Sequence, residues 1–151
     1  MSRPLQTRSL RIADKRDMRA LSIRQPYAEL ILRGIKTVEL RSRSTTIIGE
    51  RFYLYAAKAK ATPPVPPRPI WSDDLRVATP PPPLWMIELA EQVKLIEPGA
   101  LLPTGVIVGS AVIEKVSRND DIFEWHLKDV KRLSRHRKPT GHPQPVWFKP
   151  F

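Results

Sequence analysis

Hydrophobic and polar positions change their period several times along this chain, and each change predicts an element. "RALSI", residues 19–23, is a short apolar run that reads as a first strand. In "RQPYAELILRG" the apolar residues Tyr27, Leu30 and Ile31 stand at i, i+3 and i+4. That stripe predicts a two-turn helix with one buried face, with Pro26 at its first position and Gly34 as its stop. "KTVELRS" then alternates, with Val38 and Leu40 on one face and Thr37, Glu39 and Arg41 on the other, as a strand does. "ERFYLYAAK", residues 50–58, reads as a buried strand, and "GVIVGSAVIEKV", residues 105–116, as another in which Gly109 admits a bend or bulge. "PVWF", residues 145–148, predicts a short final strand.

Between residues 63 and 83 stand nine of the 17 prolines. Proline lacks the donor that sheets and helices need, so this stretch is expected to be an extended loop with polyproline character. After it, Trp85, Leu89, Val93 and Ile96 are spaced for a second helix. The resulting order is strand, helix, strand, strand, long loop, helix, strand and a basic C-terminal segment. Short strands with two intervening helices predict an α+β protein, either a small mixed barrel or a strongly curved sheet. The boundaries expected are a basic arm over 1–18 and a single domain over 19–151 that carries the proline-rich loop 63–83.

Composition adds one anomaly. The chain holds 26 Lys and Arg against 15 Asp and Glu, a net charge of +11 over 151 residues. A field of that sign attracts polyanions, of which nucleic acid is the commonest. Five of the cations, Lys131, Arg132, Arg135, Arg137 and Lys138, fall in one acid-free run suited to following a phosphate backbone. With no cysteine, the chain has no disulfide framework and no thiolate chemistry, which suits a reducing cytoplasm. No apolar run approaches the roughly 20 residues that span a bilayer. His126, His136 and His142 lack metal-ligand spacing, so no metal and no cofactor are expected.

The candidate chemistry lies in "RGIKTVELRSR". Glu39 and Arg41, two apart on a strand, project from one face, and Lys36 sits at the turn into that strand. Two cations beside a carboxylate can take a phosphate while the carboxylate accepts from a base or ribose, Arg41 offering a planar fork and Lys36 a compact charge. Arg24 and Arg43 extend the cationic rim, Gln25 and Tyr27 offer hydrogen bonding and stacking to a base, and Gly34 lets the backbone approach closely. The alternative is an ion-pair cluster that only fixes the corner between helix and strand.

"LSIRQPYAELILRGIKTVELRS" resembles the signature of the ASCH domain, a PUA-like family with a Gly-x-Lys-x-x-Glu-x-Arg motif after its first helix. Gly34, Lys36, Glu39 and Arg41 match that motif position for position. "LPTGVIVGSAVI" resembles the family's lead-in to a long central strand, and "FEWHLKDVKRL…KPTGHPQPVWF" its closing strands, with Trp125 and Trp147 in place. The likeness covers residues 19–149; the proline-rich insert and the long basic N-terminus depart from it. It implies a small PUA-like mixed β-barrel with two or three helices, and a cleft beside the first helix that holds RNA, modified bases or nucleotide-like ligands. The function expected is nucleic-acid binding, RNA before DNA, by a cytoplasmic monomer. A hydrolase acting on modified nucleosides or RNA, with Lys36 and Glu39 as its catalytic pair, is the alternative, because the family has hydrolytic members. The proline-rich loop offers a further expectation, a docking segment for a protein partner.

Overall fold

β1 (Ala20–Arg24) and β3 (Arg51–Ala57) lie side by side and parallel within a six-stranded sheet in the computed structural model, which describes residues 17–61 and 83–151. Between them the chain forms α1 (Tyr27–Leu32) and β2 (Val38–Arg41). It then runs through α2 (Leu84–Val93), β4 (Val106–Asn119), β5 (Ile122–Arg137) and β6 (Trp147–Phe148). The sheet order is β2-β5-β4-β3-β1-β6, and every neighbouring pair except β1 with β3 is antiparallel. The α+β class is as expected. Residues 1–16 of the basic arm, and all of the proline-rich loop but Pro83, lie outside the described residues.

β3 explains why one sheet can hold this domain together. Its side chains are buried on both faces. Phe52, Leu54 and Ala56 join Leu21, Ile31, Val108, Ile113 and Trp125 in one core under α1. Tyr53 and Tyr55 point the other way and join Met18, Ala20, Ile107 and Phe148 in a second. Burial of a large apolar side chain stabilises by about 1.5–3 kcal/mol, so the continuous run "FYLYA" anchors two cores at once. Edge-to-face rings lock the C-terminus onto the second core, Tyr55 on Phe148 at 5.1 Å and Tyr53 on Phe151 at 5.7 Å.

The sheet curls but is not closed, which corrects the barrel expected from the family resemblance. Its two outer strands, β2 and β6, are four and two residues long and do not pair with each other. Side chains fill the seam where backbone would have met. Arg41 on β2 donates from Nη2 to the Ser22 carbonyl of β1 at 2.9 Å. Trp125 of β5 stacks on Trp147 of β6 with centroids 5.9 Å apart, and its indole N–H donates to the Arg43 carbonyl at 3.0 Å.

The basic C-terminal segment is the far half of β5 rather than a loop. Sequence pattern hid this because the β4–β5 ladder shifts register three times, near Ile107/Gly109, Ser110/Val112 and Ile113/Lys115. Each bulge resets the period-two alternation, and Asp129 takes a positive φ of 49° within the strand. Gly109 sits at one such shift, as its sequence context suggests. A Cβ there would lie 2.4 Å from the Lys131 carbonyl oxygen and 2.6 Å from a Leu32 methyl.

Candidate nucleic-acid interface

α1 is short, and its two ends set the candidate site. Pro26 precedes the first helical residue, following a cis Gln25–Pro26 peptide, one position earlier than its expected place inside the helix. Gln25 is buried, and its side chain accepts the Glu29 N–H at 3.0 Å while donating to the Pro103 carbonyl at 3.0 Å. At the other end Gly34 adopts φ 74°, a region that costs side-chain-bearing residues roughly 1–2 kcal/mol. That turn lets the Ile35 and Lys36 N–H groups both donate to the Leu30 carbonyl, which carries the chain directly into β2.

The motif residues close into one ion cluster. Glu39 Oε1 lies 3.2 Å from Arg41 Nε, and Oε2 lies 3.6 Å from Lys36 Nζ. The Arg41 guanidinium also lies 5.7 Å from the Trp125 ring centroid, a cation–π distance. Lys36 is buried, and its ammonium donates to the Val38 carbonyl. Burial pushes the Lys36 pKa below the usual lysine value, while the Glu39 charge pulls in the opposite direction. Two polar atoms of the cluster, Glu39 Oε2 and Arg41 Nε, are buried without a hydrogen-bond partner among the described residues.

Beside this cluster opens a cavity of about 650 Å³. Tyr27, Glu39 and Arg41 line it together with Arg24 and Lys58, and residues 142–145 border it from the C-terminal segment. Burial raises the Tyr27 pKa above the ordinary tyrosine value and the Glu39 charge adds to it, so the ring keeps its hydroxyl proton at neutral pH.

Residues 21–142 match the family model of the ASCH domain. The chain belongs to the ASCH domain family. Two solved structures are similar to it at lower likeness, both of ASCH from Zymomonas mobilis. One covers 83% of this chain and 75% of its own at 14% identity with a TM-score of 0.44. The other, a serine-to-alanine mutant, covers 82% and 75% at 14% identity with a TM-score of 0.45. No curated protein matches the chain.

Within this ASCH domain the residues singled out from sequence divide into three groups. Arg24, Tyr27, Glu39 and Arg41 border the cavity together. Lys36, Gln25 and Gly34 do not border it: Lys36 backs Glu39 from inside, Gln25 is turned into the protein, and Gly34 shapes the turn. Arg43 is exposed beyond β2 and contributes its carbonyl to Trp125. Lys131, Arg135, Arg137 and Lys138 are exposed at the end of β5, with the Arg137 guanidinium 3.9 Å from the Phe151 ring centroid. Arg132 belongs to a different set, donating to Glu29 on α1 from both terminal guanidinium nitrogens, Nη2 at 2.7 Å and Nη1 at 3.0 Å.

Sequence reasoning did not place Glu29, Lys58 or residues 142–145 in the site. Glu29 carried a usable signal, since it stands four residues before Arg33, and the two form an ion pair at 3.3 Å. Residues 142–145, "HPQP", stand in the stretch that resembles the family's closing strands, but nothing in them pointed to the cavity. They border the cavity because Thr140 and Gly141 donate to the Pro150 carbonyl, at 2.8 Å each, and so fold the segment back. Among the described residues no helix is long and apolar enough to cross a membrane, and no group of acidic or histidine side chains could hold a metal.

Proposed function

We propose that this ASCH domain binds single-stranded nucleic acid, RNA before DNA, with an unpaired base in the cavity beside α1. The phosphate backbone then runs over Arg24, Lys58 and the exposed cations of β5. The observation that carries this reading is the convergence of Tyr27, Glu39 and Arg41 on one cavity with cations at its wall. An aromatic face, a carboxylate and a guanidinium are what splayed single-stranded bases are stacked and hydrogen-bonded by. The path from cavity to basic strand is short: residue 137 ends β5 and residue 142 already borders the cavity, at most about 17 Å of chain. Sequence-specific RNA recognition mostly targets unpaired bases, which favours RNA and single strands over duplex.

Burial of Lys36 beside Glu39 favours a second reading, a hydrolase in which Lys36 serves as a weakened base. It stands second because the Lys36 ammonium is engaged by Val38 and Glu39 and does not border the cavity beside α1.

Fluorescence anisotropy with labelled single- and double-stranded RNA and DNA, at about 50 and 200 mM salt, tests the proposal. The expected result is salt-sensitive binding to single strands that weakens in Arg41→Ala and Tyr27→Ala variants of unchanged fold. Binding indifferent to both substitutions removes the cavity from the account. Turnover of RNA that is lost in Lys36→Met promotes the hydrolase reading.

A further inference from the structure

The seam that the sheet leaves open does not end at the cavity beside α1. β1 and the chain that leaves β2 flank this seam, and the Arg41 bond to the Ser22 carbonyl bridges it. Toward Arg24 and Glu39 the seam opens into the cavity. Three residues the other way on each segment, from Ser22 to Arg19 and from Arg41 to Ser44, it opens into a second depression of about 330 Å³. Thr45, Thr46, Ile47 and Trp147 complete the wall of that depression. The C-terminal segment also joins the two, since Pro145 borders the first and Trp147 the second.

The two openings differ in chemistry. Glu39 gives the first a carboxylate, whereas no acidic side chain lines the second among the described residues. Arg19 brings a planar guanidinium to the second, and Ser44, Thr45 and Thr46 bring hydroxyls that can donate. The Thr45 hydroxyl oxygen accepts the Ile47 N–H at 3.2 Å, which leaves its own proton to give. Trp147 stacks on Trp125 and meets the Phe52 ring edge-on, so the apolar part of the wall is braced from behind. Donors grouped about one cation, with no competing carboxylate, suit phosphate, whose oxygens accept.

Spacing makes the two openings parts of one path. Three residues of chain reach at most about 11 Å, and a stacked strand advances about 3.4 Å per nucleotide. A strand with a base in the cavity beside α1 therefore brings a phosphate over Arg19 within about three nucleotides. We infer, on the reading of that cavity as a base pocket, that Arg19, Ser44, Thr45 and Thr46 form a phosphate subsite for a neighbouring nucleotide of the same strand. The bound strand then crosses the open seam, from the Arg19 depression through the base pocket toward Lys58. Pairing of β2 with β6 would have covered this crossing with backbone.

The test is anisotropy of a labelled mixed-sequence single-stranded RNA on the whole chain, at about 50 and 200 mM salt. Arg19 and Thr46 are exposed, so Arg19→Ala and Thr46→Glu leave the core untouched. Lys94→Ala, on α2 and outside both openings, controls for the loss of one positive charge. Arg19→Ala is expected to weaken binding about three- to tenfold and to lower the slope of log affinity against log salt by about 0.7. Thr46→Glu is expected to weaken it at least as much, by setting a carboxylate against phosphate, and Lys94→Ala to change little. Weakening by Tyr27→Ala with indifference to Arg19→Ala and Thr46→Glu overturns the subsite and leaves the base pocket standing. An equal loss in Lys94→Ala and Arg19→Ala reduces the effect to the general field and also overturns the subsite. Weakening by Arg19→Ala but not by Tyr27→Ala overturns the base pocket, and with it the claim of one strand crossing both. Failure of the RNA to bind wild type at the lower salt overturns both readings.

Discussion

Glu29 and Arg132, 103 residues apart in sequence, meet through two hydrogen bonds of 2.7 and 3.0 Å and so tie α1 to the basic half of β5. The two partners are unequally buried, with side-chain exposures of 8% for Glu29 and 46% for Arg132. Their loss has unequal consequences. Arg132→Ala leaves a buried carboxylate supported only by Arg33, and is expected to cost about 2–4 kcal/mol. Glu29→Ala leaves a cation that can turn into water, and is expected to cost about 1–2 kcal/mol. Urea unfolding of the two variants and the wild type gives the ranking.

The same pair makes stability depend on pH. Arg132, and after it Arg33, hold the Glu29 carboxyl below its usual range against the opposing effect of burial. The folded pKa is depressed, so the stabilisation is fully present above the unfolded value of about 4.5 and is lost as pH falls through the folded one. Wild type is expected to lose stability on acidification below that value more steeply than Glu29→Gln. Thermal denaturation of both proteins between pH 6 and 3 checks the difference.

Gly109 is fixed by contact rather than by conformation. A methyl group there meets the Lys131 carbonyl at 2.4 Å, and backbone cannot step aside as a flexible side chain can. Gly109→Ala is expected to destabilise by about 1–3 kcal/mol, the usual cost of overpacking. Gly34→Ala meets no atom within 4 Å, so its cost is the positive φ alone, about 1–2 kcal/mol. Chemical denaturation should show Gly109→Ala with a disturbed β4–β5 ladder by amide exchange, and Gly34→Ala without one.

How much of this was legible in the sequence depended on whether a local period survived. The stripe Tyr27, Leu30 and Ile31 and the alternation in "KTVELRS" survived, and both elements appear where the pattern puts them. The far half of β5 did not, because three register shifts break its alternation into apolar residues at 127, 130 and 133. Closure was illegible for another reason: whether a curled sheet closes depends on the length of its edge strands and on what fills the seam. Here Arg41 and Trp147 fill it. In the candidate site, motif spacing brought Glu39 and Arg41 to one face, but the direction of Lys36 follows from a turn that two N–H groups of residues 35 and 36 make onto Leu30.

Lys36 gives a prediction of the same sign as Glu29, but in the alkaline range. Its folded pKa lies below the ordinary 10.5 because burial disfavours the charged form more than Glu39 favours it. In that window the unfolded chain binds more protons than the folded one, so stability contributed through Lys36 rises as pH climbs toward 10.5. Lys36→Met keeps the apolar stem and removes the titration. The difference in stability between wild type and Lys36→Met is expected to move in favour of wild type from pH 8 to pH 10. A flat difference in urea unfolding across that range contradicts the account.

Cations of β5, with Lys138 just beyond its end, separate by what already holds them. Arg132 is engaged by Glu29, whereas Lys131, Arg135 and Lys138 are exposed with no hydrogen-bond or ion-pair partner among the described residues. A phosphate contact on single-stranded nucleic acid contributes about 0.7 to the slope of log affinity against log salt. Arg135→Ala and Lys138→Ala are each expected to lower that slope by roughly this amount if the backbone crosses them, with little change in unfolding free energy. Arg132→Ala is expected to do the reverse, a large loss of stability with a smaller change in slope. Salt titrations of binding paired with urea unfolding on the three variants separate the phosphate-contacting cations from the one that fastens α1 to the sheet. An unchanged slope in Arg135→Ala and Lys138→Ala takes the nucleic-acid path off β5.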